Sequence, residues 1–474
     1  MQNSNKQKIN RFYILKVTLV ASAGGFLFGF DFVIISGALS FLDSHFHLSA
    51  AMKGLAVSSA VFGAILGPLS GLWFADRLGR KKTMMIAACF FMVSTFGSAL
   101  AGTIWSFVFW RFIGGIGVGL AMMTSPIYIA ELAPPQLRGS LVNVNQLSNV
   151  IGINLAVIVS YLFSFDGWGW RWMFASQAIP VVLLIFGLLL IPESPRWLAA
   201  KNRITEALKI LTKINGKEEA ENELKEIKRE LTQESGKFTD LFMPGTKVAL
   251  IIGIVLMIFS QINGVNVTMI YAPSIMAEVG IKVGSSAILS SIPIFILILI
   301  CTIISFKLIE RFSRRGLLIC SVSFMALSHV IMAINLNQHW PPLFTLIPIL
   351  LGTGAFTLGF APLSWIITSE IFSNKIRGKA MAVVCVFLYG ASFLTVQFFP
   401  VLMEWFNTHF NNMAGVYWIF AIICLGCVLF SWKMVPETKG LSLEKISEFW
   451  HDNNAIKNLK KSNNISKKLN NIKI

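Results

Sequence analysis

The sequence predicts an all-α membrane protein: twelve transmembrane helices in two pseudo-symmetric six-helix halves, joined by a cytoplasmic helical linker. Three observations carry this. Of the 474 residues 55% are hydrophobic and only 13% charged, against roughly 25% charged in soluble domains, and the mean hydropathy is +0.68. Apolar runs of about 20 residues, the length that crosses a bilayer as a helix, recur along the chain. Motifs of the first half return in the second at a constant offset.

Residues 1–14 form a polar, basic, cytoplasmic N-terminal segment. The apolar run that follows is too long for the core of a signal peptide. Spans are expected at 15–40, 54–75, 83–101, 105–131, 140–163 and 173–191, then at 247–278, 284–307, 316–335, 343–371, 380–403 and 414–434. The halves are therefore 15–191 and 247–434, with the linker at 192–246 and a cytoplasmic tail at 435–474. Beyond about 450 the tail is rich in Lys and Asn and reads as disordered.

The linker is charged, with Leu208, Leu211, Leu224, Ile227 and Leu231 at helical spacing. It reads as amphipathic helices lying along the inner membrane face. Basic residues fall in alternate loops: Lys6, Lys8, Arg11 and Lys16; Arg77, Arg80, Lys81 and Lys82; Arg311, Arg314 and Arg315; Lys375, Arg377 and Lys379. The intervening loops hold only Lys53, Arg171 and Lys282, which places both termini in the cytoplasm. The same distribution explains the +17 net charge without nucleic acid as a partner.

Glu131-Leu132-Ala133-Pro134-Pro135-Gln136-Leu137-Arg138-Gly139 recurs ~239 residues later as Glu370-Ile371-Phe372-Ser373-Asn374-Lys375-Ile376-Arg377-Gly378. Asp76-Arg77-Leu78-Gly79-Arg80-Lys81 recurs as Glu310-Arg311-Phe312-Ser313-Arg314-Arg315, and Pro192-Glu193-Ser194 as Pro436-Glu437-Thr438. Asp76, Arg80, Glu131, Arg138, Glu193, Glu310, Arg314, Glu370, Arg377 and Glu437 are thus candidates for cytoplasmic gating ion pairs. Exposed pairs contribute ~0–1 kcal/mol each. A network between the halves that forms only when the inner side is closed would bias one conformation. The alternative is a set of topology signals and solubilising charges.

Two charges lie deep in apolar runs. Asp31 sits about nine residues from the outer end of the first span, ~13 Å deep, and Arg111 about six from that of the fourth, ~9 Å deep. The depths suit a pair. A charge there costs roughly 2.5–3.5 kcal/mol on insertion scales, so such groups are paired, line a wet cavity or carry a proton. A permanent structural pair is the plain alternative. Gly25 and Gly29, Gly63, Gly67 and Gly71, and Gly115 and Gly119 form small-residue faces for close helix approach. Gly115-x-Gly117 follows no strand and is not a dinucleotide loop. The six cysteines lie in spans, and Cys424-x-x-Cys427 reads as buried packing. No nucleophile–base or metal-ligand set appears, so neither an enzyme nor a metal or other cofactor is expected.

Gly71-x-x-x-x-Asp76-Arg77-x-Gly79-Arg80-Lys81 resembles the signature loop of major facilitator transporters. Pro192-Glu193-Ser194-Pro195-Arg196-Trp197-Leu198 and Pro436-Glu437-Thr438-Lys439-Gly440 resemble the two sugar-porter signatures. The likeness covers about residues 15–450. It implies import of a monosaccharide (hexose or pentose) or cyclic polyol with a proton, by alternating access. In proton-coupled members the acid and Arg matching Asp31 and Arg111 are assigned the coupling role. Animal facilitative glucose carriers usually lack that acid, so its presence favours symport. A neighbouring arginine favours the ionised acid and burial the neutral one. A rearrangement of the pair would therefore switch proton affinity.

The resemblance also implies a substrate site. Gln261 and Asn266 match sugar-binding amides in the seventh span, Gln146 one in the fifth, and Trp365 the aromatic floor in the tenth. An amide offers donor and acceptor to vicinal hydroxyls. Asn149 shares a face with Gln146, and Phe28, Tyr271 and Tyr389 complete the candidate set. Ser260 and Leu388 stand where many family members carry amides, and Ala361 where they carry Gly. The alternatives are a facilitative uniporter of the same fold, a membrane sugar sensor and a facilitator for a non-sugar solute. The partners expected are the sugar or polyol, the proton and membrane lipid around a monomer. The membrane expected is the bacterial inner membrane.

Overall fold

A computed structural model describes residues 10–134, 136–165, 169–232, 236–373 and 375–439. The basic segment before residue 10 and the tail expected to be disordered lie outside the described residues. All regular elements described are helical, as an apolar environment demands, since a helix satisfies its own backbone groups.

The first six long helices are α1 (Arg11–Phe46), α2 (Ala50–Leu78), α3 (Arg80–Ala99), α4 (Ile104–Leu132), α5 (Arg138–Leu162) and α6 (Gly169–Leu190). The linker holds α7 (Pro195–Ala200), α8 (Ile204–Asn215) and α9 (Lys217–Thr232). The second set is α10 (Pro244–Ile270), α11 (Ser285–Arg311), α12 (Arg314–Asn337), α13 (Pro342–Glu370), α14 (Arg377–Phe410) and α15 (Ala414–Met434). These twelve are long and apolar enough to cross a membrane, each reaching ~30 Å or more at 1.5 Å per residue.

Two compact units emerge. The first comprises Met1–Ile34, Ser59–Val159 and Asp166–Glu234; the second comprises Ile35–Ser58, Ser160–Phe165 and Ser235–Ile474. The division cuts α1, α2 and α5. Within the second unit, Ser58 Oγ donates to Gln397 Oε1 at 2.8 Å, and Gln397 Nε2 donates to the Ala51 carbonyl at 2.9 Å.

In the first unit the glycine faces work as spacing predicts. A Cβ on Gly67 would lie 2.2 Å from the Gly119 backbone, and one on Gly29 would lie 2.0 Å from the Asn149 carbonyl oxygen. Helices α2 and α4, and α1 and α5, therefore meet backbone to backbone. Gly71 makes only ordinary contacts.

The apolar faces of α7–α9 turn toward one another. Trp197, Leu198, Leu211, Leu224 and Ile227 form one small core, while Leu231 is exposed. Three short helices can bury apolar area mutually, and this satisfies the same amphipathic pattern. The core is tied to the start of α1. Asn10 N donates to the Ile214 carbonyl at 3.0 Å, and Lys213 Nζ stands 4.2 Å from the Tyr13 ring centre.

Candidate functional site

Helix α1 buries Asp31 to 4% exposure. Its Oδ1 accepts from Arg111 Nη1 on α4 and, at 3.0 Å, from Gln177 Nε2. Gln177 sits where α6 is interrupted, and its Oε1 accepts from Thr95 Oγ1 of α3 at 3.3 Å. The Arg111 guanidinium lies 5.5 Å from the Phe174 ring centre and is 2% exposed. The structure thus brings Asp31 and Arg111 together, and adds Gln177. The only sequence signal for Gln177 was a long amide in an otherwise apolar span.

A buried ion pair is stable to the extent that its remaining polar atoms are satisfied. Here Arg111 Nε has no hydrogen-bond partner among the described residues. The guanidinium grips through Nη1, not as a two-pronged fork.

The duplicated motifs have duplicated geometry. In the first unit Arg80 pairs with Glu131 at 2.9 Å and with Asp76 at 3.2 Å. Glu193 Oε1 accepts from the backbone N–H of Arg80 at 2.9 Å and of Lys81 at 3.1 Å. In the second unit Arg314 pairs with Glu370, and Glu437 accepts from the N–H groups of Arg314 at 3.1 Å and Arg315 at 3.2 Å. Glu193 and Glu437 therefore cap α3 and α12, where free N–H groups and the helix dipole favour an anion. These ion pairs join neighbours inside each unit, where an acid at a helix end lies beside a basic helix start.

Arg377 donates to the Phe372 carbonyl at 3.2 Å, and Glu310 has no ion-pair partner among the described residues. Arg138 is exposed, and its charge reaches Glu223 of α9. Burial raises the Glu223 carboxyl above its ordinary range, opposed by a 2.6 Å bond from Asn215 and by Arg138.

In the second unit α10 breaks at Asn263, and Gly264 follows with φ +85°. The Asn263 side chain spans the break. Its Nδ2 donates to the carbonyls of Phe259 at 2.9 Å and Ser260 at 2.7 Å, and its Oδ1 accepts from Val265 N at 2.9 Å. This brings two predicted amides together, with Asn266 Nδ2 donating to Gln261 Oε1 at 3.2 Å. Ser260 is turned inward. Its hydroxyl donates to the Met257 carbonyl at 2.7 Å and accepts from Gln261 Nε2 at 3.1 Å.

Trp365 of α13 is 38% exposed, whereas Leu388 and Tyr389 of α14 are buried. Tyr271, grouped with the binding residues by sequence, spends its hydroxyl on the Val396 carbonyl at 3.1 Å and its ring on Phe399. In the first unit Gln146 is exposed on α5 and Asn149 is buried against Gly29. Phe28 is half-buried, its ring centre 5.8 Å from that of Phe32.

The profile of the family described as "Sugar (and other) transporter" matches residues 17–450. The chain belongs to this sugar transporter family. It is 36% identical to the arabinose-proton symporter of Bacillus subtilis over 447 residues, 92% of this chain and 95% of that protein. It is 37% identical to the D-xylose-proton symporter of Escherichia coli K12 over 476 residues, covering 93% and 96%. Among solved structures it is similar to the inward-open xylose transporter XylE from E. coli, with TM-score 0.82 and 35% identity over 92% of this chain and 100% of that one. It is also similar to XylE bound to 6-bromo-6-deoxy-D-glucose, with TM-score 0.79 and 36% identity over 93% and 100%. As members of a transporter family, sugar porters move solutes and are not enzymes. The duplicated charged motifs and the broken α10 described above all fall within the matched residues.

Proposed function

We propose that this protein imports a monosaccharide, with pentoses such as xylose and arabinose as first candidates, together with a proton by alternating access. The observation that carries the reading is the buried Asp31–Arg111 pair, steadied by Gln177 and left with one unsatisfied guanidinium nitrogen. Names of relatives sharing over 90% of its length support the sugar and the proton alike. Asp31 takes a proton from outside and its hold on Arg111 loosens. In the second unit Gln261 and Asn266 receive the sugar's hydroxyls and Trp365 its apolar face; Gln146 and Asn149 are the first unit's own candidates for sugar contact. Both ligands leave inward, and Glu131–Arg80 and Glu370–Arg314 hold their respective helix ends. The protein is a monomer in lipid with both termini in the cytoplasm, a placement supported by the basic loops. The halves 15–191 and 247–434 act as the two rocking bodies, with 192–246 between them.

The test is proton movement. Proteoliposomes given D-xylose or L-arabinose should alkalinise the medium as labelled sugar enters. Sugar entry with no proton uptake would make the protein a uniporter, and entry of none of a panel including glucose, galactose and inositol would remove sugars altogether.

A further inference from the structure

Nothing in the coupling cluster or the charged helix ends uses the polar face of α12. That helix carries Ser321, Ser328 and His329, all buried in the second unit. Ser321 and Ser328 lie seven residues apart, so they share one face at 3.6 residues per turn, with His329 beside it. Each side chain reaches α10 or α13, and two of the three reach places where those helices leave α geometry.

At the break in α10, His329 Nε2 lies 2.7 Å from the Asn263 carbonyl. A carbonyl only accepts, so Nε2 carries the proton and donates. The same carbonyl accepts only a weak second bond, from Cys424 Sγ at 3.7 Å, so His329 supplies its strong donor in an apolar interior. In α13 a π-turn runs over Phe356–Phe360. The Ser321 hydroxyl donates to the Ala355 carbonyl at 2.7 Å and accepts from Phe360 N at 3.0 Å. Those two groups are five residues apart, so the hydroxyl stands inside the helix's own ladder of hydrogen bonds. Insertion of a side chain into that ladder is a recognised cause of local helix distortion. Two turns earlier in α13, Ser328 Oγ donates to the Pro348 carbonyl at 2.7 Å. Glycines make the approach possible: a Cβ on Gly359 would meet Ser321 Cβ at 2.7 Å, and one on Gly352 would meet Ser328 Oγ at 2.4 Å.

We propose that the Ser321–Ser328–His329 stripe is a positioning device that holds the irregular turns of α10 and α13 in one register, and so sets the geometry of the sugar-binding residues beside them. Gln261 and Asn266 flank the α10 break, and Trp365 lies five residues beyond the π-turn. The inference rests on the sugar-transport reading and deepens it: these side chains act through Gln261, Asn266 and Trp365 and touch no sugar themselves. A small cavity lined by Thr268, His329, Gly352 and Tyr417 adjoins the break. His329 is held both by its hydrogen bond and by packing against the Tyr417 and Phe420 rings, and a glutamine there keeps an N–H donor in a side chain of similar size.

The experiment compares wild type, His329→Leu, His329→Gln and Ser321→Ala in proteoliposomes, with labelled D-xylose and L-arabinose as probes. Uptake kinetics are normalised to the monodisperse protein recovered. His329→Leu and Ser321→Ala are expected to raise KM about tenfold, the scale of one lost hydrogen bond, while Vmax and proton-driven accumulation stay near wild type. His329→Gln, which keeps an N–H donor, should restore KM. Should His329→Leu not fold, His329→Gln and Ser321→Ala still decide, the first at wild-type KM and the second with KM raised. Wild-type KM in Ser321→Ala, or losses confined to Vmax and protein yield, would overturn the proposal. If wild type itself takes up neither sugar, it is the transport reading that fails.

Discussion

Replacing Asp31 with asparagine tests the coupling reading most directly. The side chain is nearly isosteric, and its carbonyl oxygen can still accept from Arg111 and Gln177, the two donors that reach Oδ1 in the structure. What disappears is the site that can be protonated. One charge moved through 100 mV is worth about 2.3 kcal/mol. At about 1.4 kcal/mol per tenfold in concentration, a one-proton symporter can accumulate sugar roughly 40- to 50-fold at that potential. Wild-type proteoliposomes under such a gradient should climb toward that ratio, whereas Asp31→Asn should level off at equal concentrations. Exchange of labelled for unlabelled sugar across the membrane should persist, because it needs no net proton movement. The substitution has a second effect. Arg111, at 2% exposure, keeps its charge and loses its counter-ion, and breaking one side of a buried pair costs about 3–5 kcal/mol. Asp31→Asn should therefore melt lower in detergent, and adding Arg111→Gln should recover part of that loss without restoring accumulation. Accumulation to the wild-type plateau by Asp31→Asn would refute the reasoning, since no other step of the mechanism supplies the proton.

Three further outcomes are expected. Gly29→Ala places a methyl 2.0 Å from the Asn149 carbonyl oxygen, so overpacking should cost about 1–3 kcal/mol, seen as a lower detergent melting temperature. Gly139→Ala, with nothing within 4 Å of its would-be Cβ, is the control. Tyr271→Phe should lose about 1 kcal/mol of stability with the bond to Val396, while sugar KM stays at wild type; a large rise in KM would return Tyr271 to the binding site. Glu223 has its proton affinity raised by burial. The folded linker therefore binds that proton more tightly than the unfolded chain, and the associated stability is present below the ordinary carboxylate range and lost as pH rises through the raised value. Glu223→Gln should accordingly remove part of the fall in melting temperature as pH rises above the ordinary carboxylate range, and an unchanged profile would discount the effect.

The linker and the charged helix ends show where reading by pattern stops. Helical spacing of Leu211, Leu224 and Ile227 correctly implied amphipathic helices, but an apolar face says only that it will be covered, not by what. The partner turned out to be the other linker helices. Likewise Glu193 and Glu437 were legible as a repeated pair of acids. Their targets are backbone N–H groups of α3 and α12, which carry no side-chain signature. Gln177 was overlooked for the same reason: its role exists only because the interruption of α6 brings an ordinary amide against Asp31.

By itself the sequence determined the helical class, the twelve spans, the duplication and the place of the two deep charges. These follow from local terms, namely the cost of unsatisfied backbone and of charge in hydrocarbon, which act on each segment separately. Tertiary structure alone decided which donors reach Asp31, which acids cap helices, and that Asn263 and Ser321 bridge the irregular turns of α10 and α13. Those are pairings between distant segments, and hydrogen-bond geometry within a few tenths of an ångström emerges only once the helices have packed.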